Sequence, residues 1–524
     1  MTSPTATKSA RRVPVPRHGG KGRTFRNPII FADYSDPDVI RHNDDFYLVA
    51  SSFHCTPGLP ILHSYDLINW RIINHAVNNL PHPRFAGVQH GCGVWAPAIR
   101  FHAGKFWIFF PMPDEGIYMT TAKDPARVWS EPHLVQAGKG LIDPCPFWDD
   151  DGNAYLVHAW AKSRAGFHSL LTLHRMSTDG RKLLDNGTVV FDGTARHPTI
   201  EGPKLYKRDG QYYIFAPAGG VENGWQTVLR STNIFGPYED KVVLAQGKTE
   251  INGPHQGAWV ETKSGESWFI HFQDHGPYGR IVHLQPMKWV NDWPVIGNDD
   301  DGDGRGEPVA SFKKPAMARG RRSIASQTSD DFDSRKLGRQ WQWQANHQES
   351  WYSLSARPGW LRLFSVPPPR KTVNLWPVPH LLLQKLPAPE FSVATRLDVS
   401  HLAVGQQAGL IMMGQDYSYV AVRRTPANYR VVKVACQNAA EDGSEIIEDS
   451  VPCPAKAVEL VIDVRAGAVC TFRYSSDGDN FVPLGKPFTA RKGNWVGAKV
   501  GLFSMSAFGN RKTGYADFDW FLYT

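Results

Sequence analysis

Three carboxylic acids recur at the same place in a repeated sequence pattern: Asp36 in "SDPDV", Asp143 in "IDPCP" and Glu201 in "IEGPK". Each is followed at once or after one residue by a proline, which fixes the local backbone. A carboxyl kept protonated can donate to a departing oxygen, and an ionised one can activate water or meet an electrophilic carbon. Cleaving a glycosidic bond needs one of each. Surroundings decide which is which: Asp36 stays ionised if it faces solvent, and Glu201 stays protonated if a second carboxylate, such as Asp143, lies beside it. Taken singly, each acid is as readily a strand-end turn or cap. Three at equivalent positions point to a shared site. In the two remaining copies the slot carries Trp95 in "VWAPA" and His255 in "NGPHQG". Acids, an indole and an imidazole around one cavity suit a sugar.

The elements that must position these residues form a repeat. Five copies begin at Ser35, Val94, Ile142, Ile200 and Asn252, roughly 48 to 59 residues apart, the period of a propeller blade. Each copy reads as a hairpin whose turn ("HNDD", "HAGK", "DDDG", "KRDG", "KSGE") supplies Asn, Asp or Gly for positive φ. Further strands, such as "PILHSYDLINW" ending at Trp70, complete four-stranded sheets. Arranged radially, the first strands line one axial channel; a two-layer array of sandwiches is the alternative. After "NDDDGDGRGEPV" and a basic stretch ending at Asp331 the rhythm changes, and segments such as "FSVATRLDV", "AVELVIDV" and "YADFDWFLYT" alternate as half-buried strands. The expected organisation is all-β: a disordered basic leader over 1–26, a five-bladed propeller over 27–307, a linker over 308–330 and a jelly-roll-like β-sandwich over 331–524.

Composition agrees: 524 residues with 18 Trp, 47 Gly and 39 Pro favour short strands and tight turns and exclude an all-α chain. The net charge of +8 is concentrated in seven Lys and Arg before residue 27, leaving about +1 for the rest, so the body has no field to hold nucleic acid. No apolar stretch is long enough to span a membrane, and the leader lacks the apolar core of a signal peptide, which gives a cytoplasmic expectation, or a secreted or periplasmic one if an export signal has been trimmed from the N-terminus. Six dispersed Cys without a CxxC pair indicate neither zinc nor a disulfide framework.

The motifs "NPIIFADYSDPDVIRHNDDFYLVASSF", "GVWAPAIRFHAGKFWIFF", "IDPCPFWDDDGNAYLV" and "IEGPKLYKRDGQYYIFAPAGG" resemble glycoside hydrolase family 43, and the resemblance runs from Asn27 through the C-terminal half. That half is similar to the sandwich of the family's β-xylosidase and α-L-arabinofuranosidase branch. The resemblance implies Asp36 as general base, Glu201 as general acid and Asp143 as the residue that sets and orients that acid. It implies inversion, with the working carboxyls about 6.5–9.5 Å apart to admit water. It also implies Trp95 and Phe53 as aromatic walls for the terminal sugar, Arg280 reaching a sugar hydroxyl, and His255 on the channel floor, where some members hold calcium or water. A core indole, a surface salt bridge and a core imidazole are the plain readings of Trp95, Arg280 and His255. Calcium prefers oxygen ligands, so a structural calcium near His255 rests on little, and no cofactor is required for the chemistry. "DDDGDG" places Asp299, Asp301, Asp303 and Gly304 at calcium-loop spacing, but Ala310 occupies the twelfth position, which favours an acidic turn. Asp33 and Asp38 are expected in supporting or surface positions. The expected activity is exo-hydrolysis of terminal β-D-xylosyl or α-L-arabinofuranosyl groups from short plant oligosaccharides, in a pocket closed at its floor and walled in part by a sandwich loop around Met505 to Phe508. Alternatives are a non-catalytic carbohydrate-binding propeller, an endo-arabinanase and an exo-galactanase. The sequence assigns no oligomeric state.

Overall fold

A computed structural model describes residues 22–316, 327–507 and 514–524. Each expected repeat is a four-stranded antiparallel sheet in simple up-and-down order. Blade one holds Asp38–His42, Asp45–Val49, Gly58–Ser64 and Trp70–Val77; blade two holds Ala98–His102, Lys105–Met112, Gly116–Ala122 and His133–Ala137. Blade three holds Leu141–Trp148, Ala154–Trp160, Leu170–Met176 and Thr188–Asp192; blade four holds Lys204–Arg208, Gln211–Ala218, Trp225–Ser231 and Glu239–Leu244. Blade five holds His255–Glu261, Ser267–Asp274, Arg280–Val290 and Trp293–Ile296. Contacts run from blade to blade around the ring and return from blade five to blade one. This is a five-bladed propeller, and closure shields the sheet edges that an open array would expose.

The ring is tied shut by the start of the chain. The Asn27 amide donates to the carbonyls of Leu284 and Val309, and its oxygen accepts from the Leu284 N–H. Thr24–Arg26 pairs with Ser311–Lys313, and its alternation buries Phe25 between exposed neighbours. The leader and linker expected over 1–26 and 308–330 therefore contribute a two-stranded sheet. The alternation of Thr24, Phe25 and Arg26 is the signal that composition hid. Residues 1–21 and 317–326 lie outside the described residues.

The C-terminal region is a sandwich of two antiparallel sheets. One is seven-stranded, from Gln342–Trp343 through Lys499–Met505 and Gln407–Met413 to Glu445–Pro452; the other is centred on Phe391–Asp398 and Tyr515–Tyr523. Inward residues such as Leu410, Val420, Leu460, Ile462 and Phe518 fill the space between them. The same apolar cluster takes in Phe31, Tyr278 and Ile281 of the propeller. Tyr278 reinforces the junction, donating to the Pro389 carbonyl at 2.8 Å and accepting from the Ala468 N–H at 2.9 Å. The sandwich is thus fixed against the propeller by a shared core and by buried hydrogen bonds.

Candidate active site

Asp36 and Asp143 stand where blades one and three begin, and both have left-handed backbone, φ 56° and 57°. A non-glycine residue pays about 1–2 kcal/mol for that conformation, a cost that collects where side-chain aim matters. In blade three the pairing register slips between Ile142 and Cys145, so the Asp143 side chain leaves the regular alternation. Blade five slips likewise between His255 and Ala258, around Gln256 at φ 37°. Glu201 precedes the inner strand of blade four and is anchored by its N–H to the Pro217 carbonyl.

Asp36 is buried, so the condition of facing solvent does not apply, and its carboxylate is enclosed by hydrogen bonds. Oδ2 accepts from the hydroxyls of Ser35 (2.7 Å) and Ser51 (2.5 Å), and Oδ1 accepts from Arg280 Nη1 at 2.9 Å. Three donors, one of them cationic, thus surround the Asp36 carboxylate. Asp143 is also buried, and Oδ2 accepts the Gly202 N–H at 2.7 Å. Gly202 has φ +60°, and a Cβ there would lie 2.8 Å from the Gln256 side chain, so the position requires glycine. Burial, then the nearby Asp36 charge, pushes Asp143 up to about 6, while the Gly202 N–H, Lys204 and Gln256 pull the other way. Glu201 retains 30% of its side-chain surface open to the cavity. Enclosure by the pocket walls, then the charges of Asp143 and Asp36, raises it to about 8, with Arg280 opposing. Near pH 7 Glu201 therefore carries a proton.

His255 lies fully buried with Nε2 3.6 Å from Glu201 Oε1, beyond hydrogen-bond reach. Burial, then the Arg280 and His271 charges, lowers it to about 3, so it stands neutral beside the acid. Calcium near His255 is not supported: among the described residues the one cluster of three side chains able to share a cation is Asp299, Asp301 and Asp303, which excludes His255. In that acidic turn the Asp299 carboxylate accepts from the N–H groups of Gly302 and Gly304.

Trp95 and Phe53 face one another with ring centroids 6.3 Å apart, and the Arg164 guanidinium lies 5.1 Å from the Trp95 ring. Arg280 is buried, bonding Ser35 as well as Asp36, which replaces the surface salt bridge of the plain reading. Below the acids buried side chains cross the channel, and beyond them a cavity of about 480 Å³ lined by Arg100, Tyr206 and Trp259 occupies its other end. The buried Lys204 Nζ crosses from blade four to the Pro97 carbonyl of blade two at 3.2 Å. Asp38 accepts from the Ile99 N–H and from Arg100 Nη1, both at 2.7 Å, bracing blade one to blade two. Asp38 is thus an inter-blade tie rather than a surface acid.

The outer wall was misplaced by the sequence. Met505 sits in a sandwich strand within the cluster of Ile411, Tyr419 and Phe503, and Phe508 lies outside the described residues. The sandwich residue that reaches the site is Trp495, whose ring is 6.0 Å from Trp95 and 5.7 Å from the Arg280 guanidinium. Asp33 holds its loop, taking the Arg280 N–H on Oδ1 and the Gly497 N–H on Oδ2, both at 2.9 Å. A Cβ on Gly497 would approach the Gly279 nitrogen to 2.7 Å, which shows how closely loop and blade abut. Between them opens a cavity of about 440 Å³, lined by the 219–223 turn, Asp274, Arg280 and residues 492–496, with Lys492 bonded to Asp274 at 3.2 Å. "GNWVG", a tryptophan between turn glycines, was the available signal for Trp495.

Comparison with known proteins gives one direction. Residues 25–294 match the family model described as glycosyl hydrolases family 43, and residues 329–524 match the beta xylosidase C-terminal concanavalin A-like domain. A protein of Xylanibacter ruminicola is 40% identical over 91% of this chain and 86% of its own length. A beta-xylosidase of Formosa agariphila is 33% identical over 95% of this chain and 90% of its own. A non-reducing end alpha-L-arabinofuranosidase of Bacteroides ovatus is 27% identical over 95% and 94%. The crystal structure of a xylan beta-1,4-xylosidase from Bacillus halodurans superposes with a TM-score of 0.83 at 25% identity, covering 95% of this chain and 99% of that one.

Proposed function

The chain belongs to glycosyl hydrolase family 43, and from that premise we propose that Asp36, Asp143 and Glu201 carry out inverting removal of terminal β-D-xylosyl or α-L-arabinofuranosyl groups from hemicellulose-derived oligosaccharides. The observation that carries the reading is the division of labour among the three carboxyls. Glu201 is pushed up to about 8 and keeps a proton to give, whereas Asp36 accepts from three donors. Asp36 takes a proton from water as that water attacks the anomeric carbon, and Glu201 protonates the leaving oxygen on the opposite side of the ring. Asp143 does not transfer the proton; its charge keeps Glu201 basic enough to hold one. No cofactor takes part in these steps.

Exo action is supported by the shape: the bonds of Lys204 to Pro97 and of Arg100 to Asp38 cross the channel under the acids, and Trp495 stands at the mouth. A sugar ring in the remaining space has the indoles of Trp95 and Trp495 to stack on and the Arg280 fork for its hydroxyls. A purely binding propeller has no use for a carboxyl kept protonated at neutral pH. Proton NMR of the first-formed sugar is the test: 4-nitrophenyl β-xyloside, which yields a single xylose, should release α-xylose initially, and β-xylose as its first product would refute the water-activation scheme.

A further inference from the structure

Lys385 and Lys499 face each other directly across neighbouring antiparallel strands of the sandwich, on the side that meets the propeller. Like charges in that relation repel. Lys499 is 5% exposed, and neither lysine makes an ion pair with a carboxylate among the described residues. Buried lysines are seldom left so. Lys385 Nζ lies over the Tyr34 ring at 5.0 Å, and burial, opposed by Asp33, lowers its pKa. Lys499 Nζ instead points at a sulfur: it is 2.6 Å from Sγ of Cys55, a propeller residue 1% exposed. That span can be closed by one intervening oxygen atom. Cys55 follows Phe53 by two residues and Lys499 follows Trp495 by four.

We propose that Cys55 and Lys499 form a modification site, at which a peroxide converts thiol and amine into a covalent N–O–S bridge joining propeller to sandwich. The thiol S–H and two ammonium N–H bonds break, and one S–O and one O–N bond form. Sulfur and nitrogen each give up two electrons; two peroxides accept them, supplying the bridging oxygen and three waters, and one proton leaves to solvent. Reversal takes four electrons: two equivalents of a dithiol or phosphine reductant break the S–O and the N–O bonds, returning thiol and amine, with the bridging oxygen leaving as water or on the phosphine. Nothing in this inference depends on the hydrolase reading.

The test uses the intact protein, treated with hydrogen peroxide or with a phosphine reductant and weighed by mass spectrometry. The expected result is a gain of about 14 Da, one oxygen in and two hydrogens out, carried by a peptide pair that links Cys55 to Lys499 and is separated by the reductant. The bridge closes a very long loop, so oxidation should also raise the thermal midpoint of the wild type. Lys499→Arg keeps the cation and Cys55→Ser keeps the size; neither should gain the mass or the midpoint shift. A gain of about 16 or 32 Da confined to Cys55, a link to Lys385, or no change in mass would each overturn the proposal. The wild-type measurement decides even if a variant fails to fold.

Discussion

Replacing Asp143 by Asn removes a charge and leaves a shape, so it isolates what that charge does to Glu201. The amide oxygen can still accept the Gly202 N–H that Asp143 Oδ2 takes at 2.7 Å, and the blade-three bulge keeps its aim. Glu201 stands at about 8 against an ordinary 4.5, with enclosure the leading cause and Asp143 the next. A single neighbouring charge is worth about one to three units to a carboxyl, so the alkaline limb of kcat/KM should move down by about 1.5 units. At pH 8 the protonated fraction of Glu201 would fall from about one half to about 3%, a further loss of roughly 15-fold beyond any loss seen at pH 5. The assay is kcat/KM for xylobiose, whose sugar leaving group needs a proton, from pH 4.5 to 9. A substrate whose leaving group needs no protonation should show much less of the alkaline deficit. An alkaline limb that stays in place, or moves upward, would refute the charge-based account of Asp143.

Glu201→Gln should abolish most turnover, by about 10²–10⁴-fold, yet stabilise the fold at alkaline pH. Because the native state raises this carboxyl from 4.5 to about 8, the native protein binds more protons than the unfolded chain between those values, and wild-type stability falls as pH rises through that window. The variant's advantage in thermal midpoint should therefore be absent near pH 4.5 and widen to a plateau above pH 8; a constant gap would contradict it. Trp495→Ala should lower kcat/KM about 5- to 30-fold, chiefly through KM, from the loss of about 1–2 kcal/mol of stacking and enclosure at the mouth. Unchanged KM for xylobiose would remove Trp495 from the sugar site. Asp33→Asn gives up one of two charge-assisted bonds to the N–H groups of Arg280 and Gly497, and should cost about 1–3 kcal/mol in a urea titration while raising KM in the same direction as Trp495→Ala.

What the sequence disclosed and what it withheld divide along one physical line. Asp36, Asp143 and Glu201 were legible because a ring of equivalent blades turns repeat position into spatial position, so alignment of five short motifs was already a map of the axis. Phe25 was hidden only because a strand of three residues between a basic tail and the first blade has too few alternations to register. Trp495 and Asp33 were not legible in that way. Their positions follow from how the sandwich is seated on the propeller, through Tyr278 and the shared apolar cluster, and no repeat relates one unit to the other. Even the surroundings of each acid came from packing: Asp36 is buried, and its carboxylate accepts from Ser35, Ser51 and Arg280, the last contributed by blade five, 244 residues away. The propeller thus sets where the acids stand, while contacts between distant segments set what each acid does. Substitutions in those contacts should therefore alter pH dependence and KM before they alter the fold.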